Sequence, residues 1–139
     1  MSQFLPAEKD PQILREIREF LNALNNSGGK PLETMTPQDA RQVLVDAQKS
    51  VEFDFSAIVE TERQITQDGI TVNIHIVKPA KTASEKLPVF MFTHGGGWIL
   101  GDYPTHRRLV RDLVVNSGAA AVFTDYTPSP EAKYPTAIN

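Results

Sequence analysis

The 139-residue chain has the composition of a globular protein, since 40% of its residues are hydrophobic and 22% are charged. This suffices for about one domain and excludes disordered and fibrous classes. A net charge of −3 and scattered basic residues, with Arg107-Arg108 as the only adjacent arginines, argue against a nucleic-acid-binding protein. The absence of cysteine excludes disulfides, thiol catalysis and thiolate metal ligands.

The N-terminal residues bear on where the protein is located. Met1 to Asp10 carries charge and Pro6, with no apolar core stretch behind it, so we predict no secretory signal. No run in the sequence approaches the ~20 apolar residues of a membrane span. We therefore expect a cytoplasmic protein without a membrane span.

Two amphipathic helices are predicted in the first 50 residues. Apolar residues at helical spacing favour a helix from about Pro11 to Asn25, which should end in the Asn/Ser/Gly cluster at 25–29. Thr36 as a cap and Pro37 at the first helical position favour a second helix that runs to about Lys49. We expect the apolar stripes of both helices to pack against the body of the protein.

From Ile58 onward the apolar residues no longer follow the helical spacing of the first 50 residues. The runs Ile58–Ile65 and Ile70–Val77 flank Asp68-Gly69, which predicts a β-hairpin of two antiparallel strands. In the second run polar and apolar residues alternate. His75 falls on the polar side of that alternation, so we expect it to be exposed.

A strand, a helix and a second strand are predicted next. Leu87–Phe92 is apolar on both faces, as a buried strand must be. A helix from about Pro104 to Asn116 should end at Gly118, and Ala119–Thr124 should form another buried strand, parallel to the first and joined by a right-handed crossover. The predicted fold class is α/β, with an antiparallel hairpin, then a parallel strand-helix-strand unit, after an N-terminal helical segment.

A glycine-rich segment follows the first of these buried strands directly, as His94-Gly95-Gly96-Gly97-Trp98. Residues without Cβ let backbone N–H groups turn toward a bound ligand, where two or more can converge on a developing negative oxygen. The alternative is that the glycines only permit a tight turn between strand and loop.

Several separated motifs carry a family resemblance. They are Pro88 before the apolar strand, the His-Gly-Gly-Gly segment, Gly101, His106, Asp125-Tyr126 and Pro130-Glu131-Ala132-Lys133-Tyr134-Pro135. In order and spacing, the chain from about Ile58 onward resembles the hormone-sensitive-lipase-like α/β hydrolases, which have a His-Gly-Gly-Gly motif. One departure is Thr127-Pro128-Ser129, where that family often has Arg-Leu-Ala.

The resemblance implies a domain organisation and an activity. Residues 51–139 would form the N-terminal half of an α/β-hydrolase domain with a partial sheet, and residues 1–50 would be a helical cap segment. The activity implied is that of a serine carboxylesterase or lipase that hydrolyses short acyl esters, with no cofactor or metal.

The resemblance also implies roles for the glycine loop. Gly96 and Gly97 would donate the oxyanion-hole hydrogen bonds, Gly95 would support the turn, and His94 would shape the loop. Trp98 would line the substrate pocket or, equally, serve in packing.

The rest of the catalytic machinery is not visible in the sequence. No serine has glycine both two positions before and two positions after it, so the nucleophile elbow of the family is missing. Asp102 and Asp125 are conceivable acids, but the order serine, acid, histidine expected for this fold leaves no complete set. We therefore predict that these 139 residues alone are inactive.

The missing groups define the expected partners. The C-terminal remainder of the hydrolase, or another chain, should cover the open apolar edge left at Leu87–Phe92, and the substrate should be a small acyl ester. The alternative is a non-catalytic small-molecule-binding member of the same family. A serine elbow followed by Asp and His beyond Asn139 would favour catalysis, and a replaced serine or histidine would favour binding.

Overall fold

The computed structural model describes residue 6 and residues 9–138. Predictions that rest on the other residues, including most of the N-terminal stretch used to exclude a signal sequence, lie outside it. The main elements are α1 (Arg15–Asn25), α2 (Pro37–Lys49), β1 (Ile58–Gln67), β2 (Ile70–Pro79), β3 (Val89–Phe92), α3 (Tyr103–Ser117) and β4 (Ala120–Asp125). Short 3₁₀ turns occur at Leu32–Thr34 and Ala80–Thr82. Among the described residues no helix has the length and apolar character needed to cross a membrane.

The chain divides into two units between Met35 and Thr36. This division falls earlier than the predicted one after residue 50, because α2 packs against α3 and belongs to the second unit. The organisation as a cap segment and a hydrolase half stays a prediction.

The first unit contains α1, which begins at Arg15 rather than at Pro11. The preceding residues form a turn instead, because the Asp10 carboxylate accepts from the Gln12 N–H at 2.9 Å and the Asp10 carbonyl accepts from the Ile13 N–H at 3.3 Å. The helix ends at Asn25 as predicted. None of its residues is buried, and Phe20 is 63% exposed. The packing of its apolar stripe against the body of the protein stays a prediction.

The second unit begins with α2, whose bounds confirm the sequence prediction. The Thr36 hydroxyl accepts from the Asp39 N–H at 3.2 Å and Pro37 occupies the first turn, where an N–H would have no helical partner. Ala40 is buried, which fixes the inward face of the helix.

The second unit is built on a four-stranded sheet with the order β1-β2-β4-β3. β1 and β2 are antiparallel and joined by the two-residue turn Asp68-Gly69, β2 and β4 are antiparallel, and β3 and β4 are parallel. The α/β class, the hairpin and the parallel pair are therefore confirmed.

α3 covers one face of this sheet. It starts with a capping box in which Asp102 and Thr105 bond to each other's backbone N–H, and Gly118 ends it as predicted. Its inward residues complete the core cluster of Ile58, Val77, Tyr103, Val110, Val114, Ala121 and Phe123.

β3 lies at the edge of the sheet and pairs only with β4 among the described strands. Phe90 and Phe92 pack against the core under α3, whereas Val89 is 65% and Met91 71% exposed. Strand alternation puts these two side chains on the other face. The prediction of a strand buried on both faces is therefore wrong for this structure, and the predicted open edge is present.

A polar cluster joins the hairpin to α3. Glu60 on β1 accepts from Arg107 Nε at 2.8 Å, from Arg107 Nη2 and from the Tyr103 hydroxyl. The Arg107 guanidinium, which also lies 3.8 Å from the Phe55 ring centroid, lowers the pKa of Glu60, and burial raises the pKa of Tyr103. The cluster therefore holds an ionised carboxylate and a neutral phenol at neutral pH.

His75 is not exposed, contrary to the prediction from alternation. Its ring stacks on Tyr103 with centroids 3.9 Å apart, its Nε2 lies 2.9 Å from Asp125 Oδ2, and its side chain is 15% exposed. His75 shares its face with Val77, and α3 covers that face. The polar residue is accommodated there because it has both a ring partner and a carboxylate partner.

The Glu60 cluster makes stability dependent on pH. Because the pKa of Glu60 is lowered on folding, its stabilisation is complete above the unfolded pKa and is lost as the pH falls through the folded value. We expect Glu60→Gln to lower the free energy of unfolding by about 1–2 kcal/mol at pH 7, with the difference shrinking toward pH 3. Urea titrations across this range measure it.

Glu62→Gln is the matched control, since Glu62 lies on the same strand and face and is exposed. A Glu60→Gln deficit of constant size from pH 7 to pH 3 would contradict the ion-pair explanation.

The open β3 edge predicts self-association, because unpaired strand edges template pairing with other chains. Sedimentation velocity of residues 1–139 should show species larger than a monomer, in proportions that rise with concentration. A stable monomer at all concentrations would contradict this.

Candidate active site

The loop from Thr93 to Asp102 connects β3 to α3 and contains the glycine segment. Its backbone departs from ordinary extended or helical geometry at four positions with positive φ, namely Gly96 (124°), Gly97 (62°), Trp98 (59°) and Gly101 (95°). The chain therefore reverses sharply just after the strand.

His94 anchors the start of this loop. It is 6% exposed, and its ring stacks on Tyr126 and Phe123 with centroids 4.4 and 5.5 Å away. Its Nδ1 donates to the Gly95 carbonyl at 2.8 Å, since a carbonyl can only accept. The Tyr126 hydroxyl donates to the His94 carbonyl at 2.9 Å, and burial raises the pKa of Tyr126, which keeps that donor protonated.

Two successive peptide units of the loop are held by their carbonyls. His94 holds the Gly95 carbonyl, and the Gly96 carbonyl accepts from the N–H groups of Ile99 at 3.2 Å and Leu100 at 2.9 Å. In a planar trans peptide the N–H points opposite to the C=O. The N–H groups of Gly96 and Gly97 therefore face away from these contacts, and neither donates a hydrogen bond to another described residue.

Close approach of backbone and ring requires glycine at two positions. A Cβ on Gly96 would lie 1.9 Å from the Leu100 carbonyl oxygen, and one on Gly101 would lie 2.6 Å from His94 Nδ1. Both residues also have positive φ, which L side chains rarely adopt. Gly101 is thus part of the His94 packing as well as of the sequence motif.

Two cavities adjoin the loop. One of about 380 Å³ is lined by the glycine segment, His94 and Tyr126. A second of about 370 Å³ lies between Trp98-Ile99 and the segment 129–138. Trp98 contributes to both and is 60% exposed, so it lies at the cavities rather than in the core.

Trp98 is held in a backbone conformation that costs a bulky L-residue about 1–2 kcal/mol. Its carbonyl accepts from the Ser129 N–H at 2.6 Å. This bond links the glycine loop to the segment after β4, where the sequence departs from the resembled family at Thr127-Pro128-Ser129.

Four further side chains of the types that a catalytic set uses have structural partners. Asp102 caps α3, Asp125 pairs with His75, and the Ser117 hydroxyl donates to the Leu113 carbonyl at 2.6 Å. His106 lies in the first turns of α3, as predicted, with its Nδ1 3.1 Å from the Asp102 carbonyl oxygen. Within residues 9–138, none of these groups forms a serine, histidine and acid set beside the glycine loop.

Arg41 is a site residue that sequence reasoning missed. It lies on α2, and its Nε donates to the Ile99 carbonyl at 2.7 Å in the glycine loop. Its partners are 58 to 90 residues away in sequence, so no local pattern signals them.

Known proteins resemble this chain in sequence and in fold. The model of the alpha/beta hydrolase fold family matches residues 90–139. An alpha/beta hydrolase of Acanthamoeba polyphaga mimivirus is 31% identical to this chain over 122 residues. The aligned part makes up 88% of this chain and 34% of the viral protein. The carboxylesterase NlhH of Mycobacterium tuberculosis is 37% identical to this chain over 79 residues, which make up 56% of this chain and 24% of NlhH.

Solved esterase structures match most of this chain. A thermostable esterase from Pseudomonas putida superposes with a TM-score of 0.87 at 56% identity, covering 94% of this chain and 40% of that one. A Rhizomucor miehei esterase superposes with a TM-score of 0.80 at 34% identity, and the match covers 93% of this chain and 40% of the esterase. The chain thus spans about a third of the first curated relative and two fifths of these structures. These likenesses show that the chain has the alpha/beta hydrolase fold over the part that it shares with these structures.

Proposed function

We propose that the chain is the oxyanion-hole-bearing portion of a serine carboxylesterase. The observation that carries this proposal is the orientation of the Gly96 and Gly97 N–H groups. Their peptide carbonyls are bonded elsewhere, the N–H groups have no acceptor among the described residues, and both glycines line a cavity. Two fixed donors of this kind stabilise the negative oxygen of a tetrahedral intermediate.

His94 and Gly95 hold this arrangement rather than react. The His94 ring is stacked and its Nδ1 is bonded to the Gly95 carbonyl, so it does not serve as the general base. Gly95 supplies the carbonyl that fixes the orientation of the first donor. These contacts support the loop-shaping role assigned from sequence.

The substrate class follows from the cavities and the relatives. Relatives named carboxylesterase and acetyl esterase, and superposable esterases, support an acyl ester. Cavities of about 370–380 Å³ lined by Trp98 suit a short acyl chain. Trp98 would contact that chain or the alcohol group.

The nucleophile, the acid and the base would come from residues outside this chain. In this fold they follow the oxyanion loop in the order serine, acid, histidine. They would belong to a C-terminal remainder of the hydrolase or to a second chain, which would also cover the β3 edge. The helices before residue 50 would serve as the cap segment.

A chimera tests the oxyanion hole. This chain would replace the matching part of the Pseudomonas putida esterase, with which it shares 56% identity. We expect the chimera to hydrolyse 4-nitrophenyl acetate, and Gly96→Ala to lower kcat by about 10²-fold or more, since displaced donors cost this much. The added Cβ would clash with the Leu100 carbonyl, which is part of the turn that orients the donors.

Gly97→Ala is the matched control. An added Cβ meets nothing within 4 Å there and the N–H is retained, so strain in the left-handed conformation is the main effect and kcat should fall much less. Equal losses in the two variants, or full activity in Gly96→Ala, would contradict the proposed role.

The 139-residue chain alone should not turn over esters. With 4-nitrophenyl acetate we expect no hydrolysis above the buffer rate, because an oxyanion hole without a nucleophile forms no acyl-enzyme. Saturable hydrolysis with a burst of nitrophenol would show that a nucleophile lies within these residues.

A further inference from the structure

Arg41 connects three parts of the chain around the glycine loop. Its Nε donates to the Ile99 carbonyl at 2.7 Å, its Nη2 donates to the Ser129 carbonyl at 2.8 Å, and its guanidinium pairs with the Glu131 carboxylate at 2.7 and 2.9 Å. The Arg41 side chain is 25% exposed. One planar group therefore fixes α2, the glycine loop and the segment after β4 relative to one another.

The contacts of Arg41 lie next to the strained part of the loop. Ile99 follows Trp98, whose φ is 59° and whose carbonyl accepts from the Ser129 N–H. Arg41 holds the carbonyls of both Ile99 and Ser129. The two segments bonded to each other at Trp98 and Ser129 are thus also bonded to the same guanidinium.

The same turn orients the second proposed oxyanion donor. The Ile99 and Leu100 N–H groups hold the Gly96 carbonyl, which sets the direction of the Gly97 N–H. We infer that Arg41 is a positioning residue for the oxyanion loop, acting through the Ile99 carbonyl. This inference rests on the proposed esterase function.

The shape of the guanidinium matters more than its charge in this role. Arginine presents donors in a rigid planar fork, whereas lysine has a single ammonium and no donor at the Nε position. Arg41→Lys keeps the charge opposite Glu131 but cannot also reach Ile99. The Arg41 guanidinium lowers the pKa of Glu131 to about 2, so the Glu131 carboxylate is ionised at neutral pH and can pair with a cation at position 41.

Trp98 provides a direct readout, because it is the only tryptophan of the chain. In 139-residue protein labelled with 5-fluorotryptophan, the ¹⁹F resonance of Trp98 should shift and broaden in Arg41→Lys. Gln42→Met, which removes only the bond from Gln42 to Asp46 on the same helix, should leave it unchanged. A resonance in Arg41→Lys that superimposes on that of the parent chain would overturn the inference.

Kinetics of the chimera separate this inference from the proposed function. Arg41→Lys should lower kcat by about ten- to a hundredfold, with KM changed less than about threefold, and Gln42→Met should change neither. If the chimera is active and Arg41→Lys leaves its kcat unchanged, the role inferred for Arg41 is overturned and the proposed function is not. An unsubstituted chimera that folds but lacks activity overturns the proposed function, whatever the ¹⁹F spectra show.

Discussion

Two fixed carbonyls set the orientation of the backbone N–H groups in the loop after β3. His94 Nδ1 holds the Gly95 carbonyl, and the turn at Ile99-Leu100 holds the Gly96 carbonyl. Because each peptide unit is planar, the N–H groups of Gly96 and Gly97 must point away from the partners that hold these carbonyls. Donors that are oriented before the reaction need no reorganisation as charge develops, which is the source of oxyanion-hole catalysis.

The rest of the second unit supports the ring that holds the first carbonyl. Phe123 on β4 and Tyr126 just after it stack on His94. Asp125, between them, pairs with His75, whose ring stacks on Tyr103 of α3. The hairpin therefore contributes to the position of the loop through the pair of His75 and Asp125.

Local signals predicted most of the fold but little of the site geometry. The Thr36 cap, the Asp68-Gly69 turn and Gly118 act within a few residues, so the bounds they predict for α2, the hairpin and α3 agree with the structure. The environments of His75 and Arg41 depend on partners 28 or more residues away, and periodicity carries no information about such pairs.

The most direct measurement is a crystal structure of the active chimera after reaction with a phosphonate ester. We predict a phosphonyl oxygen about 2.7–3.1 Å from both the Gly96 and the Gly97 nitrogen, with the Gly95 and Gly96 carbonyls still bonded to His94 and to the Ile99-Leu100 turn. A phosphonyl oxygen held by other groups, with either glycine N–H bonded within the protein, would contradict it.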